Sequence, residues 1–219
     1  MLKGAIFDFD GTLFDSMFVW ETAGEIYLSS LGINTKENLK NSLKSMSLVQ
    51  SAIYIAEKYN LKLDTQEIMD GINKTVENFY FYTVQPKQGV IELLELLKSM
   101  NVKMCIATAT DRYQVEAALK RCDMDKYFSE IFTCTEVGFG KDEPIIFQKA
   151  MEYLGTTKAD TIVFEDAYHA AKTAKADGFI TVAVFDSHET KQAELLSISD
   201  CFIENFTQTE HFWKFVCGL

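Results

Sequence analysis

The sequence predicts an α/β protein, a doubly wound parallel sheet interrupted near its start by an all-helical insert. Three observations carry that reading. From Lys87 onward, short apolar runs alternate with amphipathic helical patterns, the signature of repeated βα units. Between Phe14 and Pro86 the alternation vanishes and only helical spacing remains. The first apolar run, GAIFDFD, ends in two carboxylates, Asp8 and Asp10, which a strand buried on both faces does not need for folding.

Taken in order, GAIF opens the chain as the first strand. The insert reads as four helical segments, SMFVWETAGEIYLSSLG, TKENLKNSLKSM, SLVQSAIYIAEKYN and DTQEIMDGINKTVENFYFY. Gly32, the Asn60 region and Asp64 punctuate it, with Asp64 as an N-cap. The simpler alternative is a helical hairpin that only extends the core. After the insert come a helix (GVIELLELLKSM), a buried strand (VKMCIATAT), a helix (RYQVEAALKRCDM) and a strand (EIFTC). A helix opened by Pro144 and stopped by Gly155 follows, then the strand TIVFED, a helix stopped by Gly178, and the strand FITVAVFD. The aromatic C-terminal stretch QTEHFWKFVCGL reads either as a last helix packed on the sheet or as a contact surface. These boundaries give two domains: residues 1–15 with 86–219 as the α/β core, and 16–85 as the helical insert.

Composition bounds the partners. With 219 residues, 47% hydrophobic and 24% charged, the chain can bury a sizeable core and has no signature of disorder. A net charge of -11 argues against nucleic acid or an anionic membrane as partner and is compatible with Mg²⁺. The five cysteines are widely spaced and include no CxxC pair, so free thiols in a reducing cytoplasm are expected. No leader or membrane span is visible, and monomer and dimer are equally open.

Parallel strands present their carboxyl ends at one edge of the sheet, where ligands of such folds bind. That edge collects Asp8 and Asp10, Thr108 after VKMCIA, and Glu165 and Asp166 after TIVF. The loop EVGFGKDEP adds Lys141 just before a helix. Singly, each has a bland explanation: an Asp as a helix cap, a Thr in a turn, a Lys on the surface. Jointly they do not, because clustered carboxylates take up protons unless a cation sits among them, and a hard divalent ion with oxygen ligands meets that need. His169, His188 and His211 have no neighbour at ligand spacing and are not proposed as catalytic.

These same residues resemble the four motifs of the haloacid dehalogenase superfamily: Asp8-Phe9-Asp10-Gly11-Thr12-Leu13, Thr108, Gly140-Lys141 with Pro144 and Phe147, and Glu165-Asp166. The resemblance spans residues 3 to about 190 and is nearest to the β-phosphoglucomutase and phosphoglycolate phosphatase branch, with residues 16–85 in the position of that superfamily's first type of cap. It implies a Rossmann-like core with a helical cap and a Mg²⁺-dependent phosphatase acting on a small phosphorylated metabolite. Asp8 would be the nucleophile that forms an aspartyl-phosphate and Asp10 the acid and base. Asp8, Gly11, Thr12, Thr108, Ala109 and Lys141 would surround the phosphoryl group, with Thr110 assisting or acting as a plain helix cap. Asp8, the backbone carbonyl of Asp10, Asp166 and, beside them, Glu165 would hold the metal.

The alternatives are a phosphomutase of the β-phosphoglucomutase type, a dehalogenase, disfavoured because that branch lacks an Asp at the place of Asp10, and a phosphate-binding module without turnover. The sequence also departs from the resembled pattern. Asp142 and Glu143 follow Lys141 where Pro is usual, and Ala167 and Ala170 stand where Ser and Gly are usual. Trp20 takes the place of a mutase-branch His, and Leu48 that of its Arg, with Lys44 as a substitute cation. Met17, Phe18, Trp20, Tyr27, Met46 and Tyr54 are read as core before substrate contacts.

Overall fold

The computed structural model describes residues 1–35, 39–43, 46 and 48–218, together with all side chains of these except those of residues 40 and 41. The chain forms two compact units, Met1–Asp15 with Val84–Leu219, and Ser16–Thr83.

The chain begins with β1 (Gly4–Phe7), buried along its whole length. The second unit follows, with helices α1 (Met17–Ser30), α2 (Leu39–Leu43), α3 (Leu48–Tyr59) and α4 (Thr65–Tyr82). Asp64 starts α4 as its pattern predicts: its side chain accepts from the Glu67 N–H, and the Glu67 carboxylate accepts from the Asp64 N–H, both at 2.8 Å. Val19, Tyr27 and Leu28 of α1 and Ile68, Ile72 and Tyr80 of α4 are buried, so each helix has an apolar face to bury. Tyr27 is therefore core, as expected. Phe18 and Trp20, at 39% and 50% exposure, are not, and the core reading fails for both. Helical spacing marks which residues share a face and leaves open how far a neighbour covers it.

The first unit resumes with α5 (Val90–Ser99), β2 (Lys103–Thr108), α6 (Arg112–Arg121), β3 (Ile131–Thr133), α7 (Cys134–Val137) and α8 (Ile145–Leu154). It ends with β4 (Thr161–Glu165), α9 (Tyr168–Ala176), β5 (Ile180–Val184), α10 (Gln192–Ile198), β6 (Cys201–Ile203) and α11 (Glu210–Cys217). The six strands form one sheet in the order β3-β2-β1-β4-β5-β6, and every pairing is parallel. Pairing of Phe7 with both Ile106 and Phe164 sets the ends of β1, β2 and β4 at one edge.

Successive strand residues point to opposite faces. On one face Ile6, Cys105, Ala107 and Val163 form a core with Phe147, Ala150 and Leu154 of α8 and Ala170 and Ala174 of α9. On the other, Phe7 stacks on Phe164 with ring centroids 4.3 Å apart, and Phe164 meets Phe212 of α11 at 5.6 Å. Both faces are thus covered, which explains why the strands read as unbroken apolar runs. Of the two readings of the C-terminal stretch, the packed helix holds: Phe212 and Val216 are buried. Ala170, fully buried, fills a core position with a good helix former.

The short elements β6, α7 and α10 lie outside the sequence reading. All five cysteines are free. Among the described residues no helix is long and apolar enough to cross a membrane.

Candidate active site

The turn after β1 is built by the backbone. The N–H groups of Leu13 and Phe14 both donate to the Phe9 carbonyl at 3.0 Å, and the Gly11 N–H donates to the Phe14 carbonyl at 2.9 Å. Phe9, Leu13 and Phe14 are fully buried, and the rings of Phe9 and Phe14 stack 4.5 Å apart. Gly11 has φ +74°, and a Cβ there would fall 2.2 Å from Asp166 Oδ2. The motif glycine is thus required twice, by its left-handed backbone and by the close approach of a carboxylate.

At the head of this turn Asp8 is 9% exposed, and its Oδ1 lies 2.5 Å from Lys141 Nζ. The same ammonium lies 2.6 Å from Glu165 Oε1. Lys141 is itself 7% exposed, so the surface-charge explanation of an isolated lysine does not apply to it. Burial alone would push its ammonium down, but the adjacent Asp8 and Glu165 carboxylates outweigh burial and hold it above the ordinary lysine value. Asp142 and Glu143, the unusual acids that follow it, are exposed to solvent.

Carboxylate oxygens of Asp8, Glu165 and Asp166 all lie within 4.8 Å of one another, and all three residues are buried. Burial pushes the Asp8 carboxyl up to about 6, Lys141 opposing the shift and Glu165 adding to it. Asp166 is raised well above the usual carboxylate range, first by burial and then by the charges of Asp8 and Glu165. Three acids with one ammonium between them leave an uncompensated negative charge in hard oxygen donors. That donor set fits a small hard divalent cation such as Mg²⁺.

Two threonines do more than their motif positions announce. The Thr12 hydroxyl, fully buried, donates to Asp166 Oδ1 at 2.8 Å, so the motif Thr orients a carboxylate of another strand. Thr110, 6% exposed, donates its hydroxyl to Asp10 Oδ2 at 2.5 Å, while its N–H donates to Thr108 Oγ1 at 3.0 Å. Thr110 is not the exposed cap offered as one reading, since Asp111 occupies the N-cap position of α6. Thr108 accepts from Thr110 and keeps its own hydroxyl proton to donate elsewhere. Ala109, between them, is exposed at the end of β2. The Asp10 side chain is therefore directed to Thr110, whereas Asp8, Glu165 and Asp166 make up the acidic group. Tyr168, Glu189, Asp186 and Lys87, which order the neighbouring loops, carried no motif by which the sequence could have marked them.

The helical unit has its own cavity of about 420 Å³, lined by Trp20, Glu21, Leu43, Met46, Leu48 and Asn73 among others. No cation lines it among the described residues. The Trp20 indole N–H donates to the Tyr80 hydroxyl at 3.1 Å. Lys44, the substitute cation considered above, lies outside the described residues.

Comparison with known proteins agrees with this architecture. The family model for haloacid dehalogenase-like hydrolases matches residues 5–184. A phosphorylated carbohydrates phosphatase of Thermotoga maritima is 25% identical over 153 residues, covering 70% of this chain and 71% of that protein. Hexitol phosphatase B of Escherichia coli is 24% identical over 157 residues, covering 70% of each. A solved structure of a candidate β-phosphoglucomutase from Thermotoga maritima superposes with a TM-score of 0.86 at 23% identity, covering 97% of this chain and 99% of that one. The chain is an enzyme of the haloacid dehalogenase-like hydrolase family, with named phosphatases among its relatives.

Proposed function

We propose that this enzyme is a Mg²⁺-dependent phosphatase that hydrolyses a small phosphorylated metabolite, of the sugar-phosphate class, through an aspartyl-phosphate. The observation that carries the reading is the buried group in which Asp8 meets Lys141 at 2.5 Å, beside Glu165 and Asp166, with Asp10 held by Thr110. The named phosphatases of phosphorylated carbohydrates and hexitols among its relatives support the substrate class.

In this mechanism the Asp8 carboxylate attacks phosphorus, a P–O bond forms to Asp8, and the ester P–O bond breaks. Asp10 gives its proton to the leaving alcohol oxygen and afterwards takes one from the water that attacks the phospho-Asp8, releasing inorganic phosphate and free Asp8. Thr110 keeps the Asp10 carboxyl aimed through both steps. Lys141, Thr108 and the backbone N–H of Ala109 receive the phosphoryl oxygens, supported by the tight turn at Gly11 and Thr12. Mg²⁺, held by Asp8, Asp166 and the Asp10 carbonyl with Glu165 beside them, would offset the repulsion between carboxylate and phosphate dianion.

Substrate choice belongs in this proposal to residues 16–85, which follow the first strand as the cap of the family does. The β-phosphoglucomutase likeness keeps a mutase reading in view. Against it, a mutase must hold a second phosphate, and the cavity of the helical unit has Glu21 and no cation among its described lining. Trp20 and Leu48 stand where the mutase branch has His and Arg.

The discriminating experiment supplies β-glucose 1-phosphate with Mg²⁺ and a bisphosphate activator, and follows phosphate release and glucose 6-phosphate together. Phosphate release without measurable glucose 6-phosphate is expected here, with turnover on at least one sugar phosphate in a wider screen. Isomerisation faster than phosphate release would overturn the hydrolytic reading. No phosphate release from any ester would leave only a binding module.

A further inference from the structure

Asp166 stands one residue before Ala167, and α9 begins directly after that alanine. Ala167 occupies the N-cap position with φ -89° and ψ 123° and has no side chain that can accept from the helix. Two other helices carry a local side-chain cap, Asp64 on α4 and Thr133, which accepts from the Glu136 N–H at the start of α7, whereas α5, α6, α8, α10 and α11, like α9, have none. At α9 the acceptor arrives from 21 residues further on, where Glu189 Oε2 receives the Tyr168 N–H at 2.8 Å.

Glu189 is itself held from several sides. Its Oε1 accepts from the Lys191 N–H at 2.6 Å, and its own N–H donates to the Asp186 carbonyl at 3.2 Å. Asp186 is 4% exposed. Its carboxylate takes Lys87 Nζ at 3.0 Å, and it lies 2.8 Å from His188 Nδ1. Lys87 also donates Nζ to the Phe185 carbonyl at 2.6 Å and its backbone N–H to the Leu13 carbonyl at 2.8 Å. A continuous path thus runs from the turn that carries Asp10, through Lys87 and the β5–α10 loop, to the first turn of α9.

We propose that Glu189 is a positioning residue for Asp166: it caps α9 from the β5–α10 loop in place of the missing local cap, and so fixes the strand-to-helix turn on which that carboxylate stands. A carboxylate suits the place twice, because it satisfies an orphan N–H and faces the positive end of the helix dipole. Without it the first turn of α9 frays, and the freedom Asp166 gains must be given up again on binding a cation. Thr12 still holds Asp166 Oδ1, so the loss is partial.

The inference rests on the metal-binding reading of the acidic group, and its test reads binding apart from turnover. Mg²⁺ is titrated calorimetrically into phosphate-free protein. Wild type is compared with Glu189→Ala, Glu189→Gln and the double variant Ala167→Ser/Glu189→Ala. Glu189→Ala should bind Mg²⁺ about three- to tenfold more weakly, inside the roughly two- to thirtyfold range to which a lost N-cap corresponds. Glu189→Gln, which keeps an acceptor, should fall between it and wild type. Restoring a local cap with Ala167→Ser should bring affinity back to within about twofold, since Ser is among the preferred N-caps.

A lower melting temperature with unchanged Mg²⁺ affinity in Glu189→Ala would reduce Glu189 to a structural role and overturn the proposal. Should that variant not fold, Glu189→Gln with and without Ala167→Ser carries the same comparison, and unchanged Mg²⁺ affinity there overturns the proposal equally. Wild-type protein that takes up no Mg²⁺ would overturn the metal reading itself, a separate failure.

Discussion

The Thr110 hydroxyl donates to Asp10 Oδ2 across 2.5 Å, joining residues 100 positions apart. The contact ties the turn after β1 to the end of β2, and it fixes which way the proposed acid points. Thr110→Val keeps the shape and removes the donor. Turnover of an alkyl phosphate should fall about tenfold, a fraction of the 10²–10⁴ that general acid catalysis supplies. p-Nitrophenyl phosphate, whose leaving group needs little protonation, should lose less. Equal losses on both esters, measured as kcat, would separate Thr110 from the acid step.

Asp8→Asn should abolish phosphate release, because an amide does not form the acyl-phosphate. Lys141→Met should cost about 10²-fold or more in kcat even at saturating Mg²⁺, since a cation held by the carboxylates would not replace the charge that the Lys141 ammonium supplies to the phosphoryl group. Metal-free Lys141→Met should also be less stable by about 3–5 kcal/mol, having lost the partner of two buried carboxylates. Denaturant unfolding with and without Mg²⁺ checks this: a variant as stable as wild type without metal would show that Lys141 is not the counter-charge.

Gly11→Ala tests the closest approach in the site. The new Cβ would meet Asp166 Oδ2 at 2.2 Å on a backbone with φ +74°. A loss of about 1–3 kcal/mol in stability is expected from the backbone conformation. Displacement of Asp166 should weaken Mg²⁺ as well. Asp166→Ala should weaken it further, and a Mg²⁺ titration indistinguishable from wild type would remove Asp166 from the ligand set.

Stability should depend on pH and metal together. Burial raises the Asp8 carboxyl from 3.8 to about 6, so the folded state holds this proton more tightly than the unfolded chain does. The stability it contributes is present at low pH and is lost as pH rises through about 6. Asp166 is shifted in the same direction by burial and by its acidic neighbours. A bound cation offsets the resulting charge, so the melting-temperature gain on adding Mg²⁺ should be larger at about pH 8 than at about pH 5. An equal gain at both values would mean that the acidic group is not what the metal neutralises.

The polar strand ends were legible because buried parallel strands consist of apolar residues, and a carboxylate or hydroxyl at the end of such a run stands out. Asp8, Thr108, Glu165 and Asp166 all announce themselves this way, and the chain order of βα units places them at one sheet edge. Lys141 stood out through its place in a loop just ahead of a helix and through its motif spacing. The exposure of Phe18 and Trp20 was not legible, since an apolar residue has the same helical spacing whether or not a neighbour covers it.

By itself the sequence determined the α/β class, the helical interruption and the identity of the acidic and cationic groups, because periodicity and strand-end chemistry are local properties of the chain. Only the tertiary structure decided how those groups are held. Thr12 on Asp166, Thr110 on Asp10 and Glu189 on the Tyr168 N–H join residues 154, 100 and 21 positions apart. Each depends on strand order and register, β1 lying between β2 and β4 and β5 beside β4. A side-chain hydrogen bond acts over about 3 Å. No local pattern encodes a contact of that reach until the sheet has brought its two ends together.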